Sequence, residues 1–150
     1  MNKLLVTILS CCVFSLTIHS QIVVSGAGSA DNTYGSLTNS GGVFQALNNA
    51  TLTDANITVT LIGNSTTEGG SIALNQGAWS SLTIVPEGVR TISGTSSTSI
   101  IKLSGADFVT INGLNDGQNS LTISNLSTAV SAGMCAINLL FDASYNTIKS

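Results

Sequence analysis

Any chemistry in this chain would have to be done by few groups. Beyond residue 20 the acids are Asp31, Asp54, Glu68, Glu87, Asp107, Asp116 and Asp142, and the bases are Arg90, Lys102 and Lys149. Clustered carboxylates with an Arg or Lys beside them can hold Ca²⁺ or take a proton from a sugar. Asp107 and Asp142 fall close to each other in the register of an internal repeat, and Asp116 is the third acid of that neighbourhood. These three are the candidates for a weak Ca²⁺ site; solvated turn acids ahead of strands are the plainer reading of the same residues. No residue is assigned a catalytic or cofactor-binding role, and no cofactor beyond that Ca²⁺ is expected.

The remaining reactive or sticky side chains are each open to a structural explanation. Cys135 is the one cysteine past residue 20, so no disulfide can form within that part of the chain. It shares a parity with Ile137, Leu139 and Phe141, and the four are expected to face inward together. A nucleophilic thiol also needs a base, and the lone histidine is His19, in the leader. Trp79 could stack on a sugar ring or simply cover a corner of the fold. Gly26-Ala27-Gly28 follows the apolar Ile22-Val23-Val24, as a dinucleotide-binding turn would. Asp31 stands where a third glycine belongs and no amphipathic helix follows, so the stretch reads as a loop. Asn49, Asn56, Asn64 and Asn125 head Asn-x-Ser/Thr triplets, which are glycan acceptors in a eukaryotic secreted chain and composition in a bacterial one.

The elements that must position these groups announce themselves by repetition. Ser99–Gly113 is echoed 37 residues later by Ala136–Ser150. At that offset Ile100 meets Ile137, Leu103 meets Leu140, Ala106 meets Ala143, Phe108 meets Tyr145, and Thr110-Ile111 meets Thr147-Ile148. Such spacing marks stacked repeats that bury their apolar sides against one another. Short strands are expected at 57–61, 71–74, 82–85, 90–92, 100–103, 108–111, 121–123, 136–141 and 145–148, separated by Gly, Asn and Asp turns. One helix is expected, over residues 41–49, with Val43, Phe44 and Leu47 on its apolar face. The fold class expected is all-β, a right-handed parallel β-helix (solenoid) whose first coil is capped by that helix. On this reading Thr110 and Thr147 are parallel neighbours and Ile111 and Ile148 both point inward; a 27-residue spacing would pair Thr83 with Thr110 instead.

Composition bounds the surroundings. Charged residues are 7% of the chain, against about 25% in ordinary soluble domains. Ser, Thr and Asn together make 54 of the 150 residues, so polarity comes from hydroxyls and amides. Apolar residues at 43%, set in strand-like clusters, are inconsistent with a disordered low-complexity chain. A net charge of −3 without a Lys/Arg cluster argues against nucleic acid or an anionic membrane as partner. Residues 1–20 read as a secretory signal peptide, with Lys3, the apolar run Leu4–Ile18 and cleavage after Ser20; a lipoprotein cut at Ser10-Cys11 is the lesser alternative. The expected organisation is a signal peptide at 1–20, an N-terminal strand and capping helix at 21–56, and coils from 57 to 150. The last coil ends directly on a strand, so the chain is expected to be incomplete at its C-terminus. No membrane span is expected after the leader.

Residues 22–150 resemble the N-terminal part of large secreted Bacteroidota proteins with pectin-lyase-like β-helix repeats. The stretches that carry the likeness are YGSLTNSGGVFQALNNATL, SLTIVPEGVRTISG, IKLSGADFVTINGLNDGQNSLTISN and FDASYNTIKS. The resemblance implies a secreted or cell-surface location and, further along such proteins, a type IX secretion sorting domain. It brings no shared catalytic motif. The function expected is a non-enzymatic adhesion or stalk module, or one that contacts polysaccharide or cell-surface glycans. The alternative is a polysaccharide lyase or glycoside hydrolase whose active site lies mostly outside these residues. A smaller one is an ice- or surface-binding protein, prompted by Thr58-Val59-Thr60 and the recurring x-Thr-Ile triplets.

Overall fold

The computed structural model describes residues 21–150, so the expected signal peptide lies outside the described residues. The strands are β1 (Ile22–Ser25), β2 (Asn32–Tyr34), β3 (Ala55–Leu61), β4 (Leu74–Asn75), β5 (Trp79–Pro86) and β6 (Val89–Gly94). They continue with β7 (Ile101–Ser104), β8 (Val109–Asn112), β9 (Ser120–Asn125), β10 (Ile137–Leu140) and β11 (Thr147–Lys149). A 3-10 turn at Gly28–Ala30 and one α-helix, α1 (Val43–Asn49), complete the described elements.

Alternation of apolar and polar residues makes most of these segments strands with one buried face. In β3, Ile57, Val59 and Leu61 are buried; Leu82 and Ile84 in β5 and Val109 and Ile111 in β8 continue the same inner surface. Leu74, Ile92, Ile101 and Leu103 close the core from the other sheets. Each such side chain contributes roughly 1.5–3 kcal/mol by leaving water.

The strands form three sheets, in the orders β11-β8-β5-β3-β1-β2, β10-β7-β4 and β6-β9. This corrects the expected right-handed parallel β-helix. The largest sheet is mixed: β1 pairs antiparallel with both β2 and β3, whereas β3, β5, β8 and β11 run parallel. The sheets hold six, three and two strands, and a helix lies among them, so the architecture is a mixed arrangement of unequal sheets. The segment Asn32–Tyr34, for which no strand was expected, is a strand. Six residues between β1 and β2 suffice for a tight reversal, and a short reversal forces antiparallel pairing.

Within the parallel part the pairings are specific. Thr147 pairs with Thr110 and Ile148 with Ile111, at the 37-residue offset. Thr83 pairs with Thr110 in the same sheet, so the 27-residue spacing is present as well, with β8 between β5 and β11. In the three-stranded sheet the offset is 36: Ile137 sits beside Ile101 and Leu139 beside Leu103. The corner between β10 and β11 therefore holds one residue more than the corner between β7 and β8, and the Ile100–Ile137 and Leu103–Leu140 matches are each displaced by one.

Two expectations about inward-facing residues also need correction. Ile111 is buried but Ile148, on the outermost strand, is 54% exposed. Of the Cys135, Ile137, Leu139, Phe141 set, Cys135 and Ile137 are half-buried, Leu139 is exposed and Phe141 is 82% exposed. Phe141 has φ 52°, which breaks the strand alternation and turns its ring outward.

Helix α1 forms as its spacing predicts, with Val43, Phe44 and Leu47 buried. Its first amides are satisfied by a preceding loop: Val43 N–H donates to the Ser36 carbonyl (3.1 Å) and Phe44 N–H to that of Leu37 (3.0 Å). Gln45 reaches back to accept from Gly41 N–H at 2.6 Å, one residue before the N-cap Gly42, whose own N–H donates to the Asn39 carbonyl (2.9 Å). Asn48 fastens the helix to β4, donating to the Ala73 carbonyl (2.8 Å) and accepting from Asn75 N–H (2.9 Å).

Candidate functional site

The most differentiated surface lies at the corners that lead into β8 and β11. Phe108 and Tyr145, 37 residues apart, both adopt left-handed backbone, with φ 57° and 54°. That backbone turns both side chains the same way, and their rings stack with centroids 5.0 Å apart and planes 7° from parallel. Phe108 is 46% and Tyr145 76% exposed, and Phe141 precedes Tyr145 by one short turn.

Hydrogen bonds between successive corners hold this display. Asp107 N–H donates to Gln76 Oε1 (2.7 Å), and the Asp107 carbonyl accepts from Trp79 Nε1 (2.7 Å). Asp107 Oδ1 accepts from both the backbone N–H (2.6 Å) and the hydroxyl (2.9 Å) of Ser144. Asn146 then bridges two ways, accepting from Val109 N–H and donating to the Ala106 carbonyl, each at 2.8 Å. Trp79 is buried and its one donor is taken, so it covers a corner and offers no face to a sugar.

The three acids proposed for Ca²⁺ do not converge. Asp107 lies across from Ser144, which uses its Oδ1, and Asp142 lies two residues before Ser144. Asp116 closes its own turn instead. Its Oδ1 accepts from the N–H groups of Gln118 (2.9 Å) and Asn119 (2.7 Å), and its Oδ2 accepts from the Asn119 side chain (2.9 Å). The Asn119 amide first, then those backbone N–H groups, hold its carboxyl below the usual aspartate range. Among the described residues no group of three or more His, Cys, Asp or Glu could hold a metal ion. A Ca²⁺ ion needs about 6–8 oxygen ligands, and these residues do not fit one.

The acid that sequence reasoning passed over is Glu68, which is 1% exposed. Its Oε1 accepts from Leu37 N–H (2.6 Å) and Ser65 Oγ (2.5 Å). Its Oε2 accepts from Ser36 Oγ (2.8 Å), Thr38 N–H (2.8 Å) and Thr38 Oγ1 (2.6 Å). Five donors converge on one buried carboxylate and tie the loop before α1 to the loop before β4. The backbone above it is close: a Cβ on Gly94 would sit 1.9 Å from the Glu68 carbonyl oxygen, so only glycine fits there. A lone acid directly after a Ser65-Thr66-Thr67 run was the available signal, since hydroxyls supply donors where cations are scarce.

Cys135 donates to the Ile137 carbonyl (3.1 Å) and lies 3.4 Å from Ser99 Oγ. Three of the four sequon amides are engaged too: Asn56 accepts from Ser81 Oγ, Asn64 from Thr91 N–H, and Asn125 binds the Ser96 and Thr98 carbonyls. The Gly26–Ala30 stretch is a loop with a 3-10 turn, where Ala27 N–H donates to Asp31 Oδ1 at 2.6 Å. No described helix is long and apolar enough to cross a membrane. Comparison with protein-family models, with curated proteins and with solved structures finds no match in any of the three.

Proposed function

We propose that the chain is a secreted or cell-surface module that contacts polysaccharides or cell-surface glycans and serves adhesion without catalysing a reaction. The observation that carries this reading is the exposed Phe108–Tyr145 stack, fixed by left-handed backbone and by the Asp107–Ser144 and Asn146 bonds. A rigid, exposed aromatic face surrounded by hydroxyls and amides suits the apolar C–H face of a sugar, with polar rim groups for its hydroxyls. The low charge of the chain suits neutral glycans better than polyanions. The apolar leader in residues 1–20 supports export, and the stretches YGSLTNSGGVFQALNNATL and FDASYNTIKS support kinship with large secreted Bacteroidota proteins.

Affinity electrophoresis through gels containing plant and algal polysaccharides tests the reading. Retardation by at least one neutral polysaccharide is expected, and Phe108→Ala with Tyr145→Ala should abolish it while leaving the circular dichroism spectrum unchanged. Retention by the double variant would move the contact elsewhere. Release of unsaturated or reducing ends would replace the reading with a lyase or hydrolase.

A further inference from the structure

We infer that the outward face of the six-stranded sheet is a docking surface for the ordered face of a crystalline, neutral, β-linked polysaccharide. Register sets like side chains side by side across that sheet. Ser25 pairs with Thr58, Thr58 with Thr83, Thr83 with Thr110 and Thr110 with Thr147, one rank crossing five strands. Two residues along, Thr60 stands between Val23 and Val85 in a second rank. Val59, Leu82, Ile84 and Ile111, their neighbours in sequence, are buried, so strand alternation turns both ranks away from the core. Thr58 is exposed, and Thr60, Thr83 and Thr110 are half-buried. Strands β3 and β5 each pair on both sides, and β8 lies between β5 and β11, so interior strands make the middle of this face.

The chemistry of the ranks selects the partner. Through β1, β3, β5 and β8 neither rank holds a charged residue, so no ion has to shed water against a neutral surface and none attracts a polyanion. Hydroxyls about 4.8 Å apart across the strands, with the second rank about 6.7 Å along them, form a fixed grid of donors and acceptors. The Thr methyls and the two valines add apolar contact. Thr is stiff at χ1 and is held here in a sheet, so the face loses little side-chain freedom on contact. Each hydroxyl contact is weak by itself. A dissolved, flexible chain loses its own freedom for every contact it makes, whereas a crystal presents sugar hydroxyls already fixed in parallel rows and meets several at once. Phe108 and Tyr145 precede Thr110 and Thr147 by two residues, so the aromatic stack borders the first rank and extends the contact to a sugar ring.

The inference rests on the glycan reading and narrows it to a solid, and its test separates the two. The full chain is mixed with microcrystalline cellulose and with crystalline chitin, each beside its amorphous regenerated form, and the protein left in solution is measured. Depletion by a crystalline solid several-fold stronger than by an equal mass of its amorphous form is expected. Thr58→Val with Thr83→Val and Thr110→Val keeps shape and strand preference while removing three hydroxyls, and should weaken adsorption roughly tenfold or more with unchanged circular dichroism. Thr83→Lys, which sets a mobile charged chain in the middle of the rank, should do the same, and Thr122→Lys, exposed on β9 in another sheet, should not. A protein retarded by dissolved polysaccharides that prefers neither crystalline solid, or rank variants that adsorb as the parent does, would overturn this inference and leave the glycan reading in place. Adsorption to neither solid in either form, together with no retardation, would remove both. Uptake into growing ice by a protein that ignores both solids would give the face another occupant and overturn the inference as well.

Discussion

Replacing Glu68 by Gln removes one charge and exchanges one acceptor oxygen for an NH₂ donor, with almost no change in shape. Either orientation of the amide creates a clash of donors. If the nitrogen replaces Oε1 it faces Leu37 N–H, and if it replaces Oε2 it faces Thr38 N–H. The hydroxyls of Ser36, Thr38 and Ser65 can rotate to accept; a backbone N–H cannot. One buried N–H is therefore left unsatisfied, at about 1–3 kcal/mol, and the surviving bonds lose the strengthening that an ionised acceptor gives. A total of about 3 kcal/mol lowers the melting temperature by roughly 10 °C in a domain of this size. Glu68→Ala orphans both N–H groups and leaves a cavity, so it should cost more than the amide. Urea and thermal unfolding of both variants, with the exposed Glu87→Gln as control, give the measurement. A Glu68→Gln variant within about 0.5 kcal/mol of the parent, the range typical of surface substitutions, would refute the assignment of Glu68 as a buried anionic hub.

Two further outcomes follow from the same packing. Gly94→Ala places a methyl 1.9 Å from the Glu68 carbonyl oxygen, so it should destabilise by about 3 kcal/mol or more and loosen the 64–68 loop, read as faster amide exchange at Glu68 and Ser93. Tyr34 donates its hydroxyl to the Ala30 carbonyl at 2.8 Å, and burial, then the charge of Asp31, raises its phenol above the ordinary range. The folded state holds that proton more tightly than the unfolded one, so this contribution is intact below the unfolded pKa of about 10 and is lost as pH rises past it. Alkaline unfolding of Tyr34→Phe should show a weaker pH dependence above that point, and ultraviolet titration of the phenolate in the parent should give a midpoint above the free value.

The resemblance between corners was legible in the sequence because the same physical demand recurs at each one. Phe108 and Tyr145 share an offset of 37 with Thr110–Thr147 and Ile111–Ile148, and those pairs are neighbours in the fold. Helix α1 was legible for a similar reason, since Val43, Phe44 and Leu47 can be buried together only at a helical period. The high Asn content also has its explanation in spacing: Asn48, Asn119, Asn125 and Asn146 each bond backbone 25 to 40 residues away.

What the sequence could not decide was direction and depth. Side-chain alternation has period two in parallel and antiparallel strands alike, so it was silent about β1, whose antiparallel neighbours make the largest sheet mixed. The pairing there depends on how sharply the chain reverses through Gly26–Asp31, which is a property of backbone geometry. Depth is likewise a sum over neighbours distant in the chain. Glu68 and Asp116 are both lone acids beside turns, and nothing local separates them. One is sealed beneath loops that arrive from residues 36–38 and 93–94, and the other caps an open turn of its own. Burial of a carboxylate is set by which donors the fold brings to it, and only the assembled tertiary structure brings five to Glu68.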